Sequence, residues 1–160
     1  MAGRIYTASF KAIAVTAAQD LFEITAGSAV PVVIHGFVLS QSTEVGDAQE
    51  ESLQLTTNRG VGSTTSGSGG ASVTPQPIDD ADAAAAATVE RNNTTIMVAG
   101  SGSLEELEVH SWNVRVPYVF WYTPETRPKI RGGARWTLEL ESTPADSITM
   151  NGTVWFEETG

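Results

Sequence analysis

Apolar and polar residues alternate with a period of two along much of this chain, and that alternation predicts strands. In segment 135–141, Trp136, Leu138 and Leu140 fall on one face, with Arg135, Thr137, Glu139 and Glu141 on the other. A run of turn-forming residues, STPADS, follows. Ile148, Met150, Val154 and Phe156 then share a face opposite Thr149, Asn151, Thr153, Trp155 and Glu157. Two alternating segments across a short turn read as an antiparallel hairpin with one buried face. Segment 5–15 puts Tyr6, Ala8, Phe10 and Ala12 on one side, and 30–40 is apolar on both sides, as a central strand would be. Further strands are expected at 20–24, 52–57, 95–99, 106–111, 112–122 and 128–131.

Two stretches break the pattern. Residues 60–77 read GVGSTTSGSGGASVTPQP, fourteen of the eighteen being Gly, Ser, Thr or Pro. Ordering such a segment costs roughly 1–2 kcal/mol per residue in backbone entropy. Its apolar side chains, Val61, Ala71 and Val73, are too few to offset that. Segment 60–78 is therefore expected to be a mobile strap that some other surface orders. Residues 79–89, DDADAAAAATV, have acids at the start followed by alanines, which predicts a short surface helix. About nine or ten strands with at most one short helix predict an all-β fold. The expected form is an antiparallel β-sandwich of jelly-roll or Greek-key type, as a single domain over 1–160.

Composition narrows the chemistry. The chain has no cysteine, which removes disulfides, thiolate metal sites and a cysteine nucleophile. Nineteen acidic residues against nine basic ones give a net charge of −10, which disfavours nucleic acid as a partner. No apolar run approaches the ~20 residues that cross a bilayer, and the N-terminal MAGRIYTASF lacks a leader-like layout, so synthesis in the cytosol is expected. Charge is uneven: Arg115, Arg127, Lys129, Arg131 and Arg135 crowd one stretch, while acids gather at 44–51, 79–82 and 105–108. That split suits pairing of a basic edge with a neighbour's acidic edge, although a plain solvated surface explains it too.

No catalytic constellation emerges. Ser66-Gly67-Ser68 places serine between glycines but outside the strand-to-helix elbow a nucleophile needs. His35 lies in an apolar strand, as a hydrogen-bonded core histidine would. Two distant histidines give no zinc spacing, and Asp79, Asp80 and Asp82 lack the frame of a calcium loop. The expectation is a non-enzyme without metal or cofactor. Aromatic residues say more. Trp112, Tyr118, Phe120 and Tyr122 fall on one face and Trp121 on the other, while Trp155 sits on the polar face of its own strand. Outward tryptophans mark interfaces or sugar-stacking platforms, unless a loop covers them.

The stretches AVTAAQDLFEITA, HGFVLSQSTEVGDAQEESLQL, TTSGSGG followed by Pro-x-Pro, NNTT and TPADSITMNGTVWFEE resemble small virion-associated proteins of tailed bacteriophages. The resemblance implies a β-sandwich subunit, made in the host cytoplasm, that decorates or cements a capsid shell. It further implies the major capsid protein as partner and a homo-oligomer, first of all a trimer. A tail, baseplate or head-fibre component is the nearest alternative, and a carbohydrate-binding module, resting on the tryptophans, is the next. The residues expected to meet a partner are Trp121 and Trp155, the basic Arg127, Lys129 and Arg131, and Ser66, Gly67, Pro75 and Pro77 of the strap.

Overall fold

The computed structural model describes residues 3–42 and 51–160. Most of the acidic run at 44–51 therefore lies outside the described residues. The described residues form twelve strands: β1 (Arg4–Val15), β2 (Gln19–Thr25), β3 (Val32–Gln41), β4 (Ser52–Val61), β5 (Ala71–Val73), β6 (Gln76–Pro77), β7 (Thr88–Asn93), β8 (Ser103–Asn113), β9 (Tyr118–Trp121), β10 (Lys129–Ile130), β11 (Arg135–Leu140) and β12 (Ile148–Glu158). They build two antiparallel sheets packed as a sandwich, as the alternation predicted. The front sheet runs β10-β3-β12-β1-β6, with β9 also on β3; the back sheet runs β5-β7-β2-β11-β4-β8.

Among the described residues no two consecutive strands pair in either sheet. The expected C-terminal hairpin is the clearest correction. Its two strands bury one face each, as read, but β11 lies in the back sheet between β2 and β4 while β12 lies in the front sheet between β1 and β3. The turn between them is an arch from one sheet to the other. An alternating pattern fixes which face is buried, and both a hairpin and an arch satisfy it.

One core fills the space between the sheets. Tyr6 stacks on Phe156 with ring centroids 5.6 Å apart, Phe10 lies 5.1 Å from Phe22, and Phe37 lies 6.3 Å from the fully buried Trp136. Ala12, expected on the inward face, is exposed instead. The β1–β12 register shifts between Phe10 and Ile13, and Ala12 takes a left-handed φ of 53°. This bulge turns the strand before it re-enters the core at Val15.

The expected strand 112–122 is two strands. Asn113 accepts from the Arg115 amide through its side chain and from the Val116 amide through its carbonyl, while Trp112 Nε1 donates to the Val116 carbonyl at 2.7 Å. That turn carries the chain from β8 in the back sheet to β9 in the front sheet. Trp112 accordingly packs in a different strand from Tyr118 and Phe120. Segment 95–99 forms isolated bridges rather than a strand, Thr95 with Ser68 and Val98 with Thr65.

Segment 79–89 contains no helix; it is bends and turn leading into β7. The Tyr6 hydroxyl donates to the Ala83 carbonyl at 2.8 Å, and the buried Glu158 carboxylate accepts from the Ala87 amide at 2.7 Å. Those tertiary bonds claim backbone groups a helix would have used. A two- to three-turn alanine helix with no apolar stripe has little to set against them.

The strap is the second large correction. Far from lacking a surface of its own, it is bound along the molecule. Residues 65–68 bridge to 95–98 and cross the outer face of the back sheet. Next, β5 pairs with β7 at the edge of the back sheet, and β6 pairs with β1 at the edge of the front sheet. One continuous segment thus shields an edge of both sheets, which otherwise would offer unpaired backbone to other chains.

Candidate interaction surface

The outer face of the front sheet brings Trp121 and Trp155 together. Register puts Thr7, Trp155, Gly36 and Trp121 in one row across β1, β12, β3 and β9. The next row is Ser9, Thr153, Val38 and Val119. The two indole rings meet with centroids 4.8 Å apart and planes tilted by 38°. Gly36 allows this: a Cβ there would collide with the Phe120 carbonyl and lie 2.8 Å from the Trp121 ring. Trp121 remains 54% exposed and Val119 57%, so the pair is not covered by a loop of the described chain.

Neither row carries a charge, in a chain whose net charge is −10. Ser9 and Thr153 hydroxyls bond to each other at 2.9 Å, which leaves few polar groups on this face seeking water. Charge begins one row further on, where Ile5, Glu157, Val33 and Lys129 line up. His35 is on this outer face rather than in the core as expected. It sits at a shift in the β3–β12 register and bonds Glu157 at 2.9 Å. The reading of a hydrogen-bonded histidine holds; its place in the core does not.

The remaining expected contact residues do not join that patch. Lys129 borders it from β10, and Arg131 is exposed just beyond that strand. Arg127 is half-buried, its Nε without a partner among the described residues. Arg135, from the same basic stretch, leaves the edge and reaches under the strap. Acidic β8 flanks basic β10 within one molecule: Arg59 pairs with Glu105 at 2.6 Å and also reaches the Lys129 carbonyl.

Ser66 and Gly67 lie on the opposite face of the sandwich. The Ser66 hydroxyl donates to Glu23 Oε1 at 2.6 Å and the Gly67 amide to Oε2 at 2.8 Å. Arg135 completes the anchor: its Nε lies 3.2 Å from Glu23, and Nη1 donates to the Thr64 carbonyl at 2.9 Å. Pro75 lies in the crossover between β5 and β6 and Pro77 in β6 itself, both half-buried against the body. The strap's apolar poverty is offset by one buried carboxylate serving several strap donors, since charge-assisted hydrogen bonds are the strong ones.

Sequence reading missed two buried polar groups. Beside the strap anchor, Asp20 is 1% exposed; its Oδ2 accepts the Met97 amide at 2.7 Å and its Oδ1 has no partner. Burial, reinforced by Glu139 and Glu23, pushes its pKa up to about 7 despite the Met97 bond. Burial also raises Glu139, with Glu141 adding to it and the Asn58 amide opposing. The only signal was two acidic residues, Asp20 and Glu23, within a short predicted strand. Between the sheets, Tyr122 donates to Glu108 at 2.6 Å and Tyr118 bonds His110 at 2.9 Å, packed against Phe37 and Phe120. Burial raises both phenols, and Glu108 adds to it. The Tyr122–Glu108 and Tyr118–His110 bonds tie the two sheets together.

Among the described residues no group of acidic and histidine side chains is placed to hold a metal ion. Compared with protein-family models, with curated proteins and with solved structures, the chain matches none closely enough to assign it a family.

Proposed function

We propose that the protein is a structural subunit of a bacteriophage virion, a capsid decoration protein that docks through the outer face of its front sheet. The observation that carries this is the uncharged double row holding Trp121, Trp155, Val38 and Val119. A contiguous exposed apolar patch on a strongly acidic protein is suited to burial against another protein. Tryptophan is the residue that most often dominates such contacts. Many copies on one shell stabilise it by mass action. The sequence resemblance supplies the virion; the patch supplies the docking face. The strap, fastened on the opposite face, is left to protect the sheet edges rather than to reach for a neighbour.

The sugar-binding alternative draws less support. The two rings lean on each other, so each spends part of one face on its partner, and the row they share with Thr7 and Gly36 has no carboxylate or amide side chain to bond a hydroxyl. The test is co-sedimentation of the purified protein with undecorated shells of the encoding phage. Trp121→Ala is expected to reduce occupancy at least tenfold while the fold persists. Unchanged occupancy of that variant would refute this docking face. Absence of binding by intact protein, with binding to tails or to a glycan array instead, would favour the corresponding alternative.

A further inference from the structure

We propose a second site, for a carboxylate, in the groove between the end of β1, the strap at 69–71 and the end of β7. A cavity of about 310 Å³ opens there, lined by Ile13, Gln19, Gly70, Arg91, Asn92 and Thr94 among others. The size is that of a small-molecule pocket. No Asp or Glu is among its lining residues, although the chain has nineteen. Arg91 makes no ion pair among the described residues; it holds only a 3.5 Å contact to the Asn92 side-chain oxygen. A half-buried guanidinium without a carboxylate is a fork waiting for a planar anion.

Asn92 supplies an independent sign. It is 5% exposed, and its Nδ2 is buried with no partner. Buried donors are almost always paired, so an unpaired one at a cavity wall calls for an acceptor. Asn92 also holds a left-handed φ of 51°, and the other such non-glycine described residue, Ala12, adjoins Ile13 of the same cavity. Unfavourable backbone conformations cluster where a site must be shaped. Ile13, Ala14, Ala17 and Ala71 add apolar lining to the same cavity. The arrangement fits a carboxylate on a short aliphatic stem: oxygens toward Arg91, Asn92 and the Thr94 hydroxyl, stem against Ile13. A peptide C-terminus and a free short-chain acid share that chemistry.

Amide chemical shifts followed by NMR test this with four probes: N-acetylalanine, its carboxamide, butyrate and inorganic phosphate. Saturable shifts at Gly69, Gly70, Arg91, Asn92 and Thr94 are expected with the two carboxylates and not with the carboxamide. Tighter binding of N-acetylalanine marks a chain terminus as the natural source, and tighter butyrate marks a free acid. Arg91→Gln is expected to weaken binding at least tenfold. Asn92→Gly, which suits the left-handed backbone, is expected to weaken it several-fold and serves if the first variant does not fold. Shifts scattered over the surface, equal binding of phosphate, or unchanged affinity in Asn92→Gly would overturn the assignment.

Discussion

Trp121 and Trp155, thirty-four positions apart in the chain, lean on one another across Gly36 with ring centroids 4.8 Å apart. The glycine is what the contact depends on, because β3 separates the two strands that carry the tryptophans. Gly36→Ala is expected to force β9 away from β3 and cost about 1–3 kcal/mol, the usual range for overpacking. Near-ultraviolet circular dichroism should lose part of its tryptophan signal, and chemical denaturation should give the stability change. An unaltered spectrum with unaltered stability would mean the strands accommodate the methyl freely.

The strap is expected to be protected in the isolated subunit. Limited proteolysis should cut 60–78 no faster than the exposed turns elsewhere. Glu23→Ala removes the acceptor shared by Ser66, Gly67 and Arg135, and leaves the guanidinium without its buried partner. A loss of about 3–5 kcal/mol is expected, together with new cleavage between 62 and 70. Deleting 63–72 should destabilise the sandwich as well, since it bares the Glu23–Arg135 pair and the edge of β7. A deletion variant as stable as the full chain would show the strap to be dispensable to the fold.

How much of this was legible in the sequence follows from what alternation encodes. It reports which side of a strand is buried, so Trp136, Leu138, Leu140, Met150, Val154 and Phe156 were placed correctly, and so was the outward turn of Trp121 and Trp155. Pairing partners are not encoded that way. Segments 135–141 and 148–157 look like a hairpin because the turn is short, yet the core is equally well closed by an arch. The order of the strap is hidden in its composition, because apolar content does not register hydrogen bonding; its donors find Glu23 on a strand some forty residues earlier. The alanine run misled for the matching reason, since intrinsic propensity yields to Tyr6 and Glu158. No local signal placed Trp121 beside Trp155.

Tyr122 bonds Glu108 at 2.6 Å across the gap between the sheets, on a carboxylate that Thr57 and His110 approach only at 3.5 and 3.6 Å. Tyr122→Phe is expected to cost about 1–3 kcal/mol, because it removes a short hydrogen bond to a charged group. The phenol itself is shifted upward by burial and by Glu108. In an alkaline absorbance titration the native protein should therefore show fewer ionising tyrosines than its three, until unfolding releases the rest. Smooth titration of all three in the folded protein would contradict the enclosed bond.

Asp20 gives the fold a pH dependence opposite to that of a paired surface carboxylate. Its pKa rises from 3.8 to about 7 on folding, through burial and the neighbouring Glu139 and Glu23. A carboxyl group whose folded pKa is raised binds its proton more tightly in the native state. Its stabilising contribution is therefore full below pH 3.8 and falls away as pH climbs to about 7, after which it is flat. Glu139 shifts in the same direction and steepens the decline. Asp20→Asn retains an oxygen for the Met97 amide while removing the charge. The variant is expected to gain on the order of 2 kcal/mol over the native chain at pH 8. The difference should shrink as pH is lowered through the same window. Denaturation midpoints of both proteins at matched pH between 4 and 8 make the comparison. Parallel curves across that window would show that Asp20 titrates as an ordinary solvated carboxylate.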